Sequence, residues 1–280
     1  MVSLEDVLRK IIGIAAPARS GKDTVASMLL RHRKVAAYAL ADPLKIGCQA
    51  LFGLTDAETW NDSIKENRIP LWGRSPREFF QHVGTDWMRA HNPEHWLMRA
   101  ERAIHSPVSQ DKGLMTPSLQ DAKVPFKLAA QAFFDLSCRQ TWDSDASDTM
   151  DPFWNLSPRQ MFDLIEALAL TDFPDYFARR AQRPIAEPTR AVPYLGASEV
   201  IIIKDIRFEN EADFLRRHNG TLWHIVRNDA QKVNAHASEL GIAIGEKDVV
   251  IYNNGTLEQL AIAVEKEWRN HRYDDALTNE

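Results

Sequence analysis

The sequence predicts a three-layer α/β fold, built on a mostly parallel sheet of about five strands and carrying a helical insertion. Three observations lead there. Short apolar runs suited to buried strands alternate with stretches of helical periodicity. The first run, from Ile11, passes through a turn of small residues directly into a helix pattern. The block Ser106–Ala197 is rich in Pro, Gln and Asp and then turns helical, and strand-like runs resume at Glu199.

The stretch Ile11–Ala26, IIGIAAPARSGKDTVA, reads as strand, loop and helix, with Val25, Met28 and Leu29 on one helical face. In such a loop, backbone N–H groups and the positive end of the helix dipole converge on one point, and Lys22 adds a full charge. A polyphosphate uses all three. The phosphate-loop pattern G-x-x-x-x-G-K-[S/T] is matched imperfectly: Ala16 stands for the first Gly and Asp23 for the Ser/Thr that touches magnesium. Ala16 is acceptable if its φ is negative. Asp23 is able to bind a metal while Thr24 stays available to a phosphate. The bland alternative is an ordinary strand-turn-helix with a solvated Lys.

Val35–Ala41 is the second strand-like run, and Asp42-Pro43-Leu44-Lys45 starts a helix to about Gly53, with Asp42 as its expected N-cap. Lys45, one turn in, either reaches a phosphate or is solvated. Ser75-Pro76-Arg77-Glu78 is a strong helix start, Ser as N-cap, Pro at N1 and Glu at N3. Beyond it Arg77, Gln81, Gly84-Thr85-Asp86 and Arg89 recur at helical spacing. That polar stripe is either a solvated face or one that meets a polar ligand; Gly84, Trp87 and Trp96 are unusual companions for a purely solvated face.

After residue 198, Glu199–Lys204 is a strand delivering Asp205 to its end, where a parallel sheet opens its crevice. An Asp there suits magnesium. Arg207 is then placed either for phosphate contact or for a helix-start salt bridge. An amphipathic helix runs to Asn219-Gly220, Thr221–Val226 is another strand, and Arg227 at its exit either binds nucleotide or is solvated. Asp248–Tyr252 is the last strand, followed by the Asn253-Asn254-Gly255 turn and a helix capped by Thr256 through about Arg269.

Composition narrows the function classes. With 280 residues and 44% hydrophobic content the chain has ample material for a core. A net charge of −5 and a pI near 6.0 give no global attraction to nucleic acid. Cys48 and Cys138 offer neither metal spacing nor a disulfide framework, so a reducing cytoplasm is expected. The apolar run ending by Pro17 is too short and wrongly flanked for a signal peptide or membrane span.

The motifs SGKDT, ADPLK, SPREFFQHVGTDWMR with Trp96, KDIRFENEADFLRRHNG, HIVR, HASE and NNGTLEQL, in that order, resemble the bacteriophage deoxynucleoside monophosphate kinase family over residues 10–105 and 198–268. The resemblance implies a P-loop kinase fold and transfer of the ATP γ-phosphate to a deoxynucleoside monophosphate with magnesium. It implies Lys22, Asp205 and Arg207 as catalytic residues. Ala18, Arg19, Ser20, Gly21, Lys22, Asp23, Thr24 and Arg227 would hold ATP, and Asp23 and Asp205 the metal. Asp42, Lys45, Arg77, Gln81, Thr85, Asp86 and Arg89 would bind the monophosphate. His236, Ser238 and Glu239 of HASE are equally explained by local capping. No membrane or polymeric nucleic acid partner is expected, a homodimer is allowed for, and a phage-encoded chain would work in the host cytoplasm. Two alternatives stand: a kinase acting on a modified base in phage DNA, with Arg179, Arg180, Arg183 and Arg190 supplying a groove, and a P-loop binding protein without catalysis.

The expected organisation is a P-loop core and monophosphate-binding segment over 1–105, an insertion over 106–197, and the rest of the core over 198–280. Self-comparison finds an echo inside the insertion. Thr141-Trp142 repeats Thr59-Trp60, Trp154 with Ser157-Pro158-Arg159 repeats Trp72 with Ser75-Pro76-Arg77, and Phe162 repeats Phe80, all at an offset of 142 − 60 = 82. Pro174, Arg180 and Ala181 then echo Pro93, Arg99 and Ala100 at 174 − 93 = 81. The second copy lacks Gly-Thr-Asp and carries apolar Leu164, Ile165, Ala167 and Leu168; it is read as a degenerate copy of 59–100 with a scaffold role, the alternative being a chance likeness of two short helices with the same cap.

Overall fold

In a computed structural model, residues 9–17, 20–105, 121–184, 190, 195–228 and 242–273 are described. The chain forms two units, residues 1–39 with 193–280, and residues 40–192.

The first unit holds a five-stranded sheet, β1 (Lys10–Ala15), β2 (Val35–Tyr38), β3 (Val200–Ile206), β4 (Thr221–Val226) and β5 (Val249–Tyr252), in the order β2-β3-β1-β4-β5. Every pairing among the described strands is parallel. Both faces are covered, which is why the strands read as continuous apolar runs rather than alternating ones. On one face Ile12 and Ile14 pack with Val25 and Leu29 of α1 (Lys22–Leu29) and with Leu260, Val264 and Trp268 of α12 (Leu257–Tyr273). The other face of β1 is Gly13, where a Cβ would lie 2.1 Å from Leu215 of α11 (Glu209–Arg217). Glycine there lets the helix sit directly on the central strand.

The second unit is helical: α2 (Ala41–Phe52), α3 (Asp56–Trp60), α4 (Pro76–Gln81) continuing as a π-helix over His82–Arg89, α5 (His95–His105), α6 (Val124–Phe134), α7 (Cys138–Trp142), α8 (Ser144–Asp148), α9 (Pro158–Asp172) and α10 (Tyr176–Arg180). Asp42 is not the N-cap of α2. That place falls to Leu40, without a side-chain bond, and Asp42 lies in the first helical turn, where its charge still favours the dipole. The helix expected to run on from Ser75 changes its hydrogen-bonding after Gln81. Along α9, Ile165 is buried, Leu164 and Leu168 are partly buried, and Ala167 is exposed.

Local geometry recurs within this unit. Helix α2 ends at Phe52 with Gly53 left-handed (φ 61°), and α6 ends at Phe134 with Asp135 left-handed (φ 55°). The Trp72 indole donates to Phe52 O at 2.9 Å and the Trp154 indole to Phe134 O at 2.7 Å. Lys45 lies 5.0 Å over the Trp60 ring and Lys127 5.6 Å over Trp142. Capping boxes start α3 (Thr55, Glu58), α7 (Ser137, Gln140), α4 (Ser75, Glu78) and α9 (Ser157, Gln160). The equivalent helices α2 and α6 pack on each other so closely that a Cβ on Gly47 would lie 2.0 Å from the Phe133 ring. Arg99 of α5 donates to Ala132 O of α6 at 2.8 Å, and Arg180 of α10 donates to Ala50 O of α2 at 3.1 Å.

Candidate functional site

In the first unit, strand order reverses direction at β1, so the loops leaving β1, β3 and β4 lie on the edge where open parallel sheets bind ligands. The loop after β1 enters α1 through Gly21 with φ 97°, a conformation that L side chains rarely adopt. A Cβ there would also lie 2.4 Å from Asn253 Nδ2. That amide donates to Ser20 O at 2.9 Å, while the Asn253 backbone N–H donates to Val226 O at 2.7 Å. The turn after β5 thus braces the loop after β1. Ala16 meets the condition set for it, since it is absent from the described non-glycine residues with positive φ.

The Ser20 hydroxyl is fully buried and has no hydrogen-bond partner among the described residues. A buried orphan hydroxyl is costly unless a ligand satisfies it. Beside it, Lys22 is one-quarter exposed and its ammonium contacts both Asp23 carboxylate oxygens, at 2.9 and 3.0 Å. Asp23 and Thr24 are exposed at the first turn of α1. Ala18 and Arg19 lie outside the described residues, as do His236, Ser238 and Glu239.

Asp205 is half-buried near the end of β3, one residue before Ile206, which pairs with Ala15 at the start of the loop. Arg207 follows with its side chain exposed, and its backbone N–H donates to Glu211 at 2.8 Å. Arg227 is exposed at the exit of β4. These positions share one edge of the sheet. Among the described residues no group of three or more His, Cys, Asp or Glu side chains forms a ready metal cage. Two carboxylates with hydroxyl and phosphate oxygens nonetheless match the donor set of magnesium, which is seldom held by protein alone.

In the second unit, Arg77 is exposed and paired with Glu66, as Arg159 is with Asp148. Lys45 and Arg77 both lower the pKa of exposed Asp62, whose main cause of depression is its hydrogen bond from Lys65, so the two cations share a neighbourhood. Arg190 lies 4.6 Å over the same Trp60 ring that Lys45 covers. Gln81, Thr85 and Asp86 are exposed on α4 and the π-helix, and Arg89 is half-buried. The Asp86 carboxylate accepts from His82 Nδ1 at 2.6 Å when that nitrogen carries the proton. Gly84 explains its own presence: a Cβ would lie 2.8 Å from Leu44, and its carbonyl accepts from the Trp96 indole at 3.1 Å.

Three of the four arginines of the basic run are engaged within the second unit. Arg180 is buried against backbone carbonyls, Arg183 pairs with Glu58 and donates to Gly53 O at 2.7 Å, and Arg179 holds Asp175. These three guanidiniums are spent inside the unit and so lend no support to a DNA-directed kinase.

Sequence reasoning missed three participants. Asn253 was read only as a turn, although its motif was noticed. His82 and Asp172 meet from 90 positions apart, with the Trp87 indole donating to Asp172 at 3.2 Å, and no local pattern announces that pairing.

Comparison with known proteins agrees with the geometry. A family model described as Deoxynucleotide monophosphate kinase matches residues 192–264. A Putative deoxynucleotide monophosphate kinase of Acanthamoeba polyphaga mimivirus is 25% identical over 252 residues, covering 89% of this chain and 91% of that protein. The Deoxynucleotide monophosphate kinase of Enterobacteria phage T4 is 24% identical over 262 residues, 90% of this chain and 95% of that one. The chain is thus similar to deoxynucleotide monophosphate kinases of phages and of mimivirus. A further one, from Escherichia phage RB69, is 34% identical over 74 residues, 26% of this chain and 30% of its own. The two long alignments, over 89% and 90% of this chain, take in both units. Among the described residues no helix is long and apolar enough to cross a membrane.

Proposed function

We propose that this protein transfers the γ-phosphate of ATP to a deoxynucleoside 5′-monophosphate, giving ADP and the diphosphate, with magnesium, in the cytoplasm of the host cell. The observation that carries the reading is the loop after β1, where an orphaned buried Ser20 hydroxyl, left-handed Gly21 and the Lys22 ammonium stand together at a helix start. An oxygen of the acceptor phosphate attacks the γ-phosphorus in line; the bond to the β,γ-bridging oxygen breaks, and ADP leaves with that electron pair. Ser20 and Lys22 hold donor phosphates, together with the loop amides at Gly21–Thr24 and at Ala18 and Arg19. Arg207 stabilises the charge on the group in transfer, and Arg227 contacts the donor nucleotide. Magnesium, when bound, neutralises phosphate charge, and Asp23 and Asp205 with Thr24 are the oxygen donors that suit it. Arg77, Gln81, Thr85, Asp86 and Arg89, with Asp42 and Lys45, bind the acceptor. An acceptor that is already anionic needs no separate general base.

The test is ADP release measured across a panel of deoxynucleoside monophosphates and single-stranded DNA. A monophosphate is expected to drive turnover and DNA not. Lys22→Ala should abolish transfer at an unchanged melting temperature, because that Lys sits at the loop and not in a core. Turnover of this variant within a few-fold of the unaltered protein overturns the reading. Asp205→Asn should raise the magnesium concentration needed for half-maximal rate, since an amide keeps the shape and loses the charge a hard cation prefers.

A further inference from the structure

We propose that the π-helix over His82–Arg89 is a one-residue insertion into the first of two duplicated segments of the helical unit, and that Asp172 of the second segment is the positioning residue that holds it. The proposal rests on the reading of Gln81, Thr85 and Asp86 as acceptor-binding residues.

The duplication is carried by geometry that simple helix similarity does not produce. The indole bonds of Trp72 and Trp154, the cation–π pairs of Lys45 and Lys127, the isolated antiparallel bridges Ile69–Arg74 and Asp151–Leu156, and the ion pairs of Arg77 and Arg159 all recur at an offset of 82. Past α4 and α9 the match resumes at 81. Arg99 reaches Ala132 of the second segment, and Arg180 reaches the equivalent Ala50 of the first. His95 and Tyr176 behave alike, His95 through a hydrogen bond with the Phe133 backbone and Tyr176 by donating to Leu51 O at 2.7 Å. Each segment therefore grips the other in the same way, as two subunits of a symmetric dimer do.

Between these fixed landmarks the two segments differ by one residue: Pro93 is the thirteenth residue after Phe80, and Pro174 is the twelfth after Phe162. The second segment crosses the interval in α9, an α-helix to Asp172, and the first crosses it in α4 and the π-helix. An extra residue in an α-helix turns everything beyond it by about 100°. An i→i+5 ring absorbs that residue instead, so that Trp96 and Arg99 keep their places. The inserted turn exposes Thr85 and Asp86 and aims the Gly84 carbonyl at Trp96.

A π-helix is rare, and some contact outside it must favour it over the α alternative. That contact comes from the last residue of α9. The Asp172 carboxylate meets His82 Nε2, accepts from the Trp87 indole at 3.2 Å, and has Arg74 at 3.8 Å. The residue matching His82 at an offset of 82 is Leu164, so the second segment has no counterpart of this clamp.

The experiment compares Asp172→Ala, Asp172→Asn and a deletion of Thr85 with Thr85→Ala as its control. Asp172→Ala should raise the monophosphate KM by about tenfold, on the scale of a misplaced substrate group, with the ATP KM unchanged. Asp172→Asn, whose amide oxygen still accepts a hydrogen bond, should restore most of it. The deletion should be worse than Thr85→Ala by a similar factor. Amide hydrogen exchange over residues 82–89 gives a readout independent of the reaction, and Asp172→Ala should speed it. Unaltered KM and unaltered exchange in Asp172→Ala overturn the proposal even if the deletion fails to fold. Absence of monophosphate turnover in the unaltered protein instead overturns the functional reading, and exchange alone then decides the clamp.

Discussion

Helices α4 and α9 begin with the same Ser-Pro-Arg, the same kind of capping box and the same ion pair to a carboxylate eleven residues upstream. They then diverge. Beyond Arg77 the exposed side carries Gln81 and Thr85, whereas beyond Arg159 the matching places hold Asp163 and Ala167, and Asp163 adds to the field that keeps the Arg159 proton on. An anion approaching Arg159 would meet two carboxylates and no amide. The comparison teaches that a shared cap and ion pair fix a helix start, while the next two turns decide whether that helix has anything to offer a ligand.

The sharpest way to break the comparison is to truncate both arginines. Arg77→Ala is expected to lower kcat/KM for the monophosphate by about a hundredfold, the effect of losing one charge-assisted phosphate contact. Arg159→Ala should change it by less than about threefold, since an exposed ion pair contributes little. Kinetics with matched melting curves decide; equal damage from both would make the second helix a working part of the site.

A smaller effect separates His95 from Tyr176, which stand in equivalent places. Burial first, and Arg99 second, push the His95 pKa down to about 3. The unfolded chain binds a proton near pH 6.5 that the folded chain refuses. Stability is therefore complete above about pH 6.5 and falls as pH drops toward 3, by up to about 1.4 kcal/mol per unit from this group. Tyr176 stays neutral throughout that window, its phenol being held up by burial. Urea melts of His95→Gln at pH 7.5 and 5 should show about 2 kcal/mol less acid sensitivity than the unaltered protein. Equal sensitivity would mean that the His95 environment opens on protonation.

The smallest expected difference sharpens the symmetry itself. Trp72→Phe and Trp154→Phe each remove one indole bond to a helix-end carbonyl and should each cost about 1 kcal/mol beyond the lost ring area. Thermal unfolding of the pair should show similar losses. A large inequality would show that one segment bears more of the core than its copy.

The sequence by itself determined the sheet, the loop and the helix starts, because these are local. Buried parallel strands must be apolar runs, Gly21 is needed for one backbone conformation, and Ser-Pro-x-Glu satisfies the orphan amides of its own helix. The placement of the candidate residues after β1, β3 and β4 was legible for the same reason, since strand ends in a parallel sheet deliver their neighbours to one edge. Only the tertiary structure decided the rest. Whether Asp42 caps its helix depended on where the chain from β2 turned, two residues earlier than the Asp-Pro suggested. Whether Arg180 and Arg183 faced solvent depended on helix-end carbonyls more than a hundred residues away. The π-helix could not be read from His82–Arg89 alone, because an α and a π turn of one sequence differ little locally and the choice between them falls to distant contacts such as Asp172 and Trp96.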